Sequence, residues 1–365
     1  PSPHLITRPP PSTTLSRVRR QRQMCIRDRV TAATESLTGA EVLLANVAGE
    51  RTDFIRFNNG DVRQAGTIDQ RVLSIDLIEG QRHVAGSISL SGERSSDDAR
   101  IRTLLARLRE QRAHVLDDPF LLYNTDTVST ERVETGAIPA PDAALADIRT
   151  AAAGRDLVGI YASGDTYSGF ANSLGQRNWF QSATFNLDWC FYLRADKAAK
   201  NLYAGFEWDD DAFAAKIDWS ARQLAALERD PVDLPPGEYR TFLAPRAVEE
   251  ITQLLSWYGA FGRRAHETRQ TPLLKMLVDD VTLSPLVNIS EDTGGGVAPN
   301  FQSSGFVRPD RVPLVTNGVY TDTLVSPRSA QEFGIATNGA GADEEPESLA
   351  INPGDVPTDA VHEAL

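Results

Sequence analysis

Residues 41–91 read EVLLANVAGERTDFIRFNNGDVRQAGTIDQRVLSIDLIEGQRHVAGSISLS. Apolar side chains alternate or run together through EVLLANV, RTDFIRF, DVRQAGTI, RVLSIDLI and HVAGSISL, and short polar stretches separate them. This pattern predicts an antiparallel meander. Asn58-Asn59-Gly60-Asp61 is its clearest reversal, because Asn-Gly supplies the positive φ values a two-residue hairpin requires. Ser95-Ser96-Asp97-Asp98 follows as an expected N-cap and acidic first turn. Ile101, Leu104, Leu105 and Leu108 then fall at i, i+3, i+4 and i+7, predicting an amphipathic helix laid on the sheet.

Further along, a helix is expected around Ala140–Ala152, then strands at Asp156–Ser163, Trp179–Leu193 and Lys200–Trp208, with Ala171-Asn172-Ser173-Leu174-Gly175 in the turn between the first two. A second helix is predicted over Asp211–Glu228, presenting Phe213, Ile217, Leu224 and Leu227 on one face. Asp230–Gly237 holds three prolines and a glycine and reads as a linker. Beyond it a strand is expected at Glu238–Leu243, a helix from Pro245 to about Phe261, and Gly- and Pro-rich β structure from Leu286 to Val325. The fold class expected is α+β: an antiparallel sheet with packed helices, then a β-rich domain entered through a helix. The expected divisions are 1–29, 30–229, 230–237 and 238–365.

The ends differ from the body. Residues 1–29 carry five prolines, seven arginines and one acid, with no periodicity, and read as a disordered and possibly non-native leader. Asp343–Leu365 has seven acids and no Lys or Arg. Its last residues, Thr358–Leu365, read as a helix cut short, so the second domain is expected to be incomplete.

The formal charge is −13, and setting aside the +6 of the leader leaves −19, which argues against direct nucleic-acid binding. No run of about 18 apolar residues is present to suggest a membrane span. Two cysteines, Cys25 and Cys190, imply no disulfide framework, and a cytoplasmic location is expected.

Residue chemistry alone identifies no active site. His83 sits on a predicted strand and His114 at a helix end, both structural readings. His266-Glu267 opens like a zinc-peptidase signature, but the helical metal motif needs a second His one turn on. Gln270 and Thr271 stand there, and Pro272 ends the helix. Gly294-Gly295-Gly296 lacks the Gly-Lys-Ser/Thr sequel of a phosphate cradle and reads as a mobile turn. Glu249-Glu250, Asp279-Asp280 and Glu291-Asp292 are pairs of the kind an acidic chain contains by chance, and Gly-x-Ser-x-Gly is absent.

One set of motifs is more specific in its order and spacing. Leu234-Pro235-Pro236-Gly237-Glu238-Tyr239, Leu243-Ala244-Pro245, Gly305-Phe306, Arg308-Pro309, Arg311-Val312-Pro313-Leu314-Val315 and Asn317-Gly318 resemble the TldD/PmbA family. Arg56-Phe57-Asn58-Asn59-Gly60 and Ala171–Gly175 match its first domain. The resemblance runs from Val30 to Leu365. It implies a cytoplasmic zinc-dependent peptidase built from a catalytic and a metal-free subunit; members are also described as modulators of DNA gyrase.

In the catalytic type, a His-Glu-x-x-x-His motif on the first helix of the second domain and a later Cys hold the zinc. Laying that pattern on Leu254-Leu255 puts Ser256 and Phe261 at the histidine positions and Trp257 at the general base. The resemblance therefore implies the PmbA/TldE-like subunit, with no catalytic, cofactor-binding or metal residues of its own and zinc only in a partner. The partner is a TldD-like zinc-bearing subunit or a second copy, and the substrate an extended peptide. Gly294–Pro313 is a candidate wall or edge along which that peptide adds as a strand, the alternative being that these residues simply turn the chain within a β-rich core. Two alternatives are a regulatory protein acting without proteolysis and an independent metallopeptidase using His266 and Glu267.

Overall fold

A computed structural model of the chain describes residues 30–354, 356, 357, 360 and 361. The expected truncated helix at Thr358–Leu365 and the leader 1–29 lie outside the described residues, apart from Ala360 and Val361. The molecule is α+β, with two largely antiparallel sheets.

The opening stretch forms three strands where five short ones were expected: β1 Val42–Asn58, β2 Asp61–Glu79 and β3 Arg82–Ser89. Asn59 and Gly60, with φ of 52° and 72°, make the predicted reversal between β1 and β2. The polar interruption at Ala48–Glu50 stays extended because β1 is paired on both sides, by β2 and by β5 (Asp156–Asn172). Gly49 lies opposite Tyr167, and a Cβ there would come within 2.5 Å of the phenol ring. The glycine makes room for a cross-strand aromatic and does not end the strand. For the same reason β5 runs on past Ser163 to Asn172.

β6 (Arg177–Arg194) follows β5 across the Asn172–Gly175 turn, as predicted. Its outer edge is shared. β7 (Lys197–Gly205) pairs with it antiparallel, and β4 (Thr130–Glu134), a strand the sequence did not signal, pairs parallel along Asn178–Ser182. The order is β3-β2-β1-β5-β6-β4, with β7 off the path beside β6.

Two separate cores lie along this sheet. At one end, Leu43, Ala45, Val47, Leu73, Ile75 and Leu77 pack under Ile101, Leu104, Leu105 and Leu108 of the helix Arg94–Arg112. Burying each such side chain contributes about 1.5–3 kcal/mol. At the other, Ile55, Phe57, Tyr161, Phe185 and Trp189 pack against the helices Pro141–Ala151 and Asp210–Ala226. The second of these helices begins where Asp209 accepts the Ala212 N–H at 2.7 Å.

The expected cap of Arg94–Arg112 is not made. The helix starts after Glu93, and Asp97 turns back instead. Its fully buried carboxylate accepts from Ser91 N and Oγ, both at 2.8 Å, and from Gly92 N at 3.1 Å, fixing the exit from β3.

Residues 230–244 hold no helix or strand, so the strand expected at Glu238–Leu243 does not form. Pro235, Pro236 and Pro245 bracket it and cannot donate to a ladder. The helix Pro245–Trp257 follows. The second sheet is smaller than the expected β-rich region. It has β8 Ile289–Glu291, β9 Val312–Thr316, β10 Val319–Tyr320 and β11 Leu349–Ile351, ordered β10-β9-β8-β11. Phe261, Leu314, Val315 and Leu324 form its core.

Candidate functional site

The side chains of β1 alternate between two faces. Leu43 points into the core under the helix, whereas Leu44, with Ile78, Phe170 and Phe180, points to the opposite face. That face is covered by Phe301 from the segment between β8 and β9. The two sheets therefore meet along a seam.

Hydrogen bonds stitch the seam. Gln176 Nε2 donates to Gly305 O at 2.7 Å and Asn124 Nδ2 to the same carbonyl at 3.1 Å. Asn124 N donates to Ser304 O at 2.9 Å and Asn46 Nδ2 to Ser303 O at 2.9 Å. Arg132 of β4 donates to Thr293 O and Gly296 O, both at 2.6 Å, while its guanidinium lies 5.0 Å from the Phe180 ring centroid. The Asn172–Gly175 turn and the Gly305-Phe306 stretch, 130 or so residues apart in sequence, are thus neighbours. The glycine run expected to be mobile is tied down: Arg132 holds both its ends, and Gly294 N donates to Asp310 O at 2.9 Å.

A groove of about 290 Å³ opens along the seam, lined on the sheet side by Asn46, Ser74 and Ser168 and on the other by Phe301, Gln302 and Arg308. Gln302 is 6% exposed. Its Oε1 accepts from Ser304 N, and its Nε2 has no partner among the described residues. Arg308 donates from Nε to Gly339 O at 3.0 Å and pairs with Glu347. A larger cavity, about 630 Å³, lies beside β4, where Arg177 is held by the carbonyls of Asn172 and Gln176.

The candidate metal positions are not assembled. Ser256 Oγ donates to Thr252 O at 2.9 Å within its own helix, and Trp257 is 78% exposed. Phe261 is 0% exposed in the core of the second sheet. A hydroxyl spent on the helix and a buried phenyl ring do not fit a zinc ion. Among the described residues, no group of three or more His, Cys, Asp and Glu is arranged to hold a metal.

His266 stacks on Tyr320, with centroids 5.8 Å apart, and burial pushes its pKa below the ordinary imidazole value. Glu267 pairs with Arg263. His83 lies between two carboxylates: Nδ1 is 3.0 Å from Asp76 Oδ2 and Nε2 3.5 Å from Asp118 Oδ2. The Asp76 hydrogen bond raises its pKa. Asp118 also accepts from Arg328 at 2.6 Å, adding an ion pair across the seam. His114 sits just past the end of Arg94–Arg112 and donates its backbone N–H to Gln111 O.

Of the acidic pairs, Glu249 and Glu250 bind Arg246 on the surface, and Asp279-Asp280 is exposed. Glu291 is buried, accepts the N–H groups of Glu347 and Ser348, and is raised above the usual carboxylate range by burial. Arg132, Asn124, Gln176 and Gln302 escape sequence reading, since only folding brings them beside their partners. The one available signal was Gln302 lying three residues before Gly305-Phe306.

Among the described residues, no helix is long and apolar enough to cross a membrane. No curated protein matches the chain in sequence. Solved structures share its fold, among them the following three. A protein described as a candidate modulator of a DNA gyrase, from Thermotoga maritima, has a TM-score of 0.67 at 13% identity, covering 92% of this chain and 78% of that one. TldE from Thermococcus kodakarensis gives 0.61 at 13% identity, covering 93% and 79%. A second candidate gyrase modulator, from Bacteroides thetaiotaomicron, gives 0.67 at 14%, covering 93% and 78%. Residues 236–364 match the family described as the PmbA/TldA metallopeptidase C-terminal domain. Residues 236–364 thus carry the C-terminal domain of that metallopeptidase family, and the chain as a whole shares the fold of these structures.

Proposed function

We propose that this chain is the metal-free subunit of a cytoplasmic peptidase complex, acting beside a TldD-like subunit that carries the zinc. The observation that supports this is the fate of the aligned ligand positions: Ser256 is bonded within its helix and Phe261 is sealed in a core. The residues present fit no zinc there, so no step is derived through one. The chain would instead form part of the enclosure in which an extended peptide is handled, with 30–229 and 238–365 as its two domains and 230–237 as the linker.

The test is to mix the purified chain with a zinc-bearing family member. Peptide hydrolysis by the mixture, exceeding that of either component, is the expected result. Stoichiometric zinc on this chain alone, with hydrolysis by it alone, would overturn the reading.

A second reading, a regulatory protein that modulates a topoisomerase without proteolysis, is favoured by the descriptions of two fold neighbours. An effect on supercoiling that survives removal of zinc from the partner would select it. The acidic balance of the chain disfavours direct contact with DNA.

A further inference from the structure

One side of the β3 backbone is open. Leu90 N donates to Arg71 O at 2.8 Å, so Arg71 and Leu90 are a hydrogen-bonded pair at the end of the β2–β3 ladder. The register runs from there to Glu79 and Arg82 without a shift, and hydrogen-bonded and non-bonded pairs alternate along an antiparallel ladder. Val84, Gly86 and Ile88 therefore bond to β2, while the N–H and C=O groups of His83, Ala85, Ser87 and Ser89 point away from it. β3 ends the sheet on that side, and these groups have no partner among the described residues. Ala85, Ser87 and Ser89 are exposed.

The other edges are guarded or short. β7 carries Lys197 and Lys200, and β4 reads Thr130-Glu131-Arg132-Val133-Glu134, so charge discourages pairing at either. β10 and β11 have only two and three residues. From Val84 to Ser89, β3 has no charge, no proline and no bulge. An open edge of this kind is a template for another strand.

Side chains select the strand that fits. An antiparallel copy of β3 centred on Gly86 places His83 opposite Ser89 and Ala85 opposite Ser87, and repeats both pairs beyond the axis. Every outward-pointing residue then meets an outward-pointing residue, the condition for a hydrogen-bonded pair. Between them, Val84 faces Ile88 of the second copy. Both pack against the core under the helix Arg94–Arg112, so apolar contact would continue from one core to the other. Gly86 meets its own copy on the axis and brings no side chain to it, and no like charges are opposed. Asp118 N donates to Gln81 O at the start of the strand, and the pairing begins at His83, two residues inside that contact. An extended peptide of unrelated sequence would make the same backbone bonds without the Val84–Ile88 matches.

We propose that β3 is the contact through which two copies of this chain join, antiparallel about a two-fold axis at Gly86, so that their first sheets become one. The proposal goes beyond the peptidase reading: it uses no residue of the second domain and needs neither zinc nor peptide.

Sedimentation velocity of the full chain at micromolar concentration tests it, and wild type should be dimeric. Ala85→Lys with Ser87→Lys opposes like charges at both pairs and should weaken the dimer tenfold or more. Ala85→Lys with Ser87→Glu carries the same lysine but sets it against a carboxylate, and should restore the dimer. Thermal melts show whether each variant keeps the fold. If the Lys/Lys variant melts early, Ala85→Pro replaces it, since it removes only an outward N–H, and it should also be monomeric. A monomeric wild type overturns the proposal, and so does a dimer that persists in the Lys/Lys or proline variant, its contact then lying elsewhere. A folded but monomeric Lys/Glu variant overturns the pairing. A monomeric wild type whose amides at 83–89 gain exchange protection from N-acetyl-trialanine-amide overturns it in favour of a peptide partner. None of these outcomes bears on hydrolysis by the mixture with a zinc-bearing subunit, so the two readings fall separately.

Discussion

Gln176 and Gly305, 129 positions apart, share a hydrogen bond of 2.7 Å from side-chain amide to backbone carbonyl. Gly305 has φ of +88°, and a Cβ there would meet the Phe170 ring at 2.8 Å. Gly305→Ala therefore combines a left-handed backbone penalty of about 1–2 kcal/mol with overpacking of about 1–3 kcal/mol. The expected outcome is a loss of about 2–5 kcal/mol, checked by urea unfolding. A loss below about 0.5 kcal/mol, the usual range for an unremarkable surface change, would show that the seam is not packed this way.

Glu41 is buried between Arg109 and Arg112, with contacts of 2.8 and 3.0 Å. The Arg109 hydrogen bond is the main reason its pKa falls to about 2. A depressed folded-state value means stability that is fully present above the unfolded pKa near 4.5 and is lost as pH falls toward 2. Thermal melts between pH 5 and 2 should drop accordingly. Glu41→Gln should flatten that dependence while costing about 3–5 kcal/mol at neutral pH, as expected when one partner of a buried pair is removed.

His83 has the opposite sign. Its two carboxylate neighbours raise its pKa, so the stabilisation is complete below the unfolded value near 6.5 and is lost as pH rises through the folded one. Melting temperature should decline on that alkaline side, and His83→Asn should remove the decline. A slope that persists in the variant would assign it to another group.

Phe261→His, combined with Ser256→His and Trp257→Glu, would rebuild the aligned motif in sequence. With position 261 in the core of the second sheet, the triple variant should unfold more readily than wild type and bind no stoichiometric zinc. Truncation to Phe261→Ala should cost about 3–5 kcal/mol. Tight zinc binding by the triple variant would mean that the helix end can reorganise.

The elements that sequence reading placed well carry local signals. The Asn59-Gly60 reversal and the 101/104/105/108 spacing are both decided by residues close in the chain. Strand lengths were not legible, because Gly49 looks like a break until Tyr167 is known to lie opposite it. Asp97 looked like part of a cap, and only the turn of the preceding backbone made Ser91 and Gly92 its partners. β4 is five residues with alternating charge, held by parallel pairing to a strand some fifty positions later. The seam depends wholly on tertiary contact: Gln176 and Phe301 acquire their partners only from the surface that faces them.

The β1–β2 hairpin, with strands of 17 and 19 residues, extends about 55–60 Å at the usual rise per residue. Its two ends are anchored in different hydrophobic clusters, and the middle, from Ala48 to Phe54, belongs to neither. The hairpin acts as a girder between two independently footed piers. Damage at one footing should therefore stay there: amides under Arg94–Arg112 would keep their hydrogen-exchange protection when the Trp189 end is loosened, and the converse should hold as well.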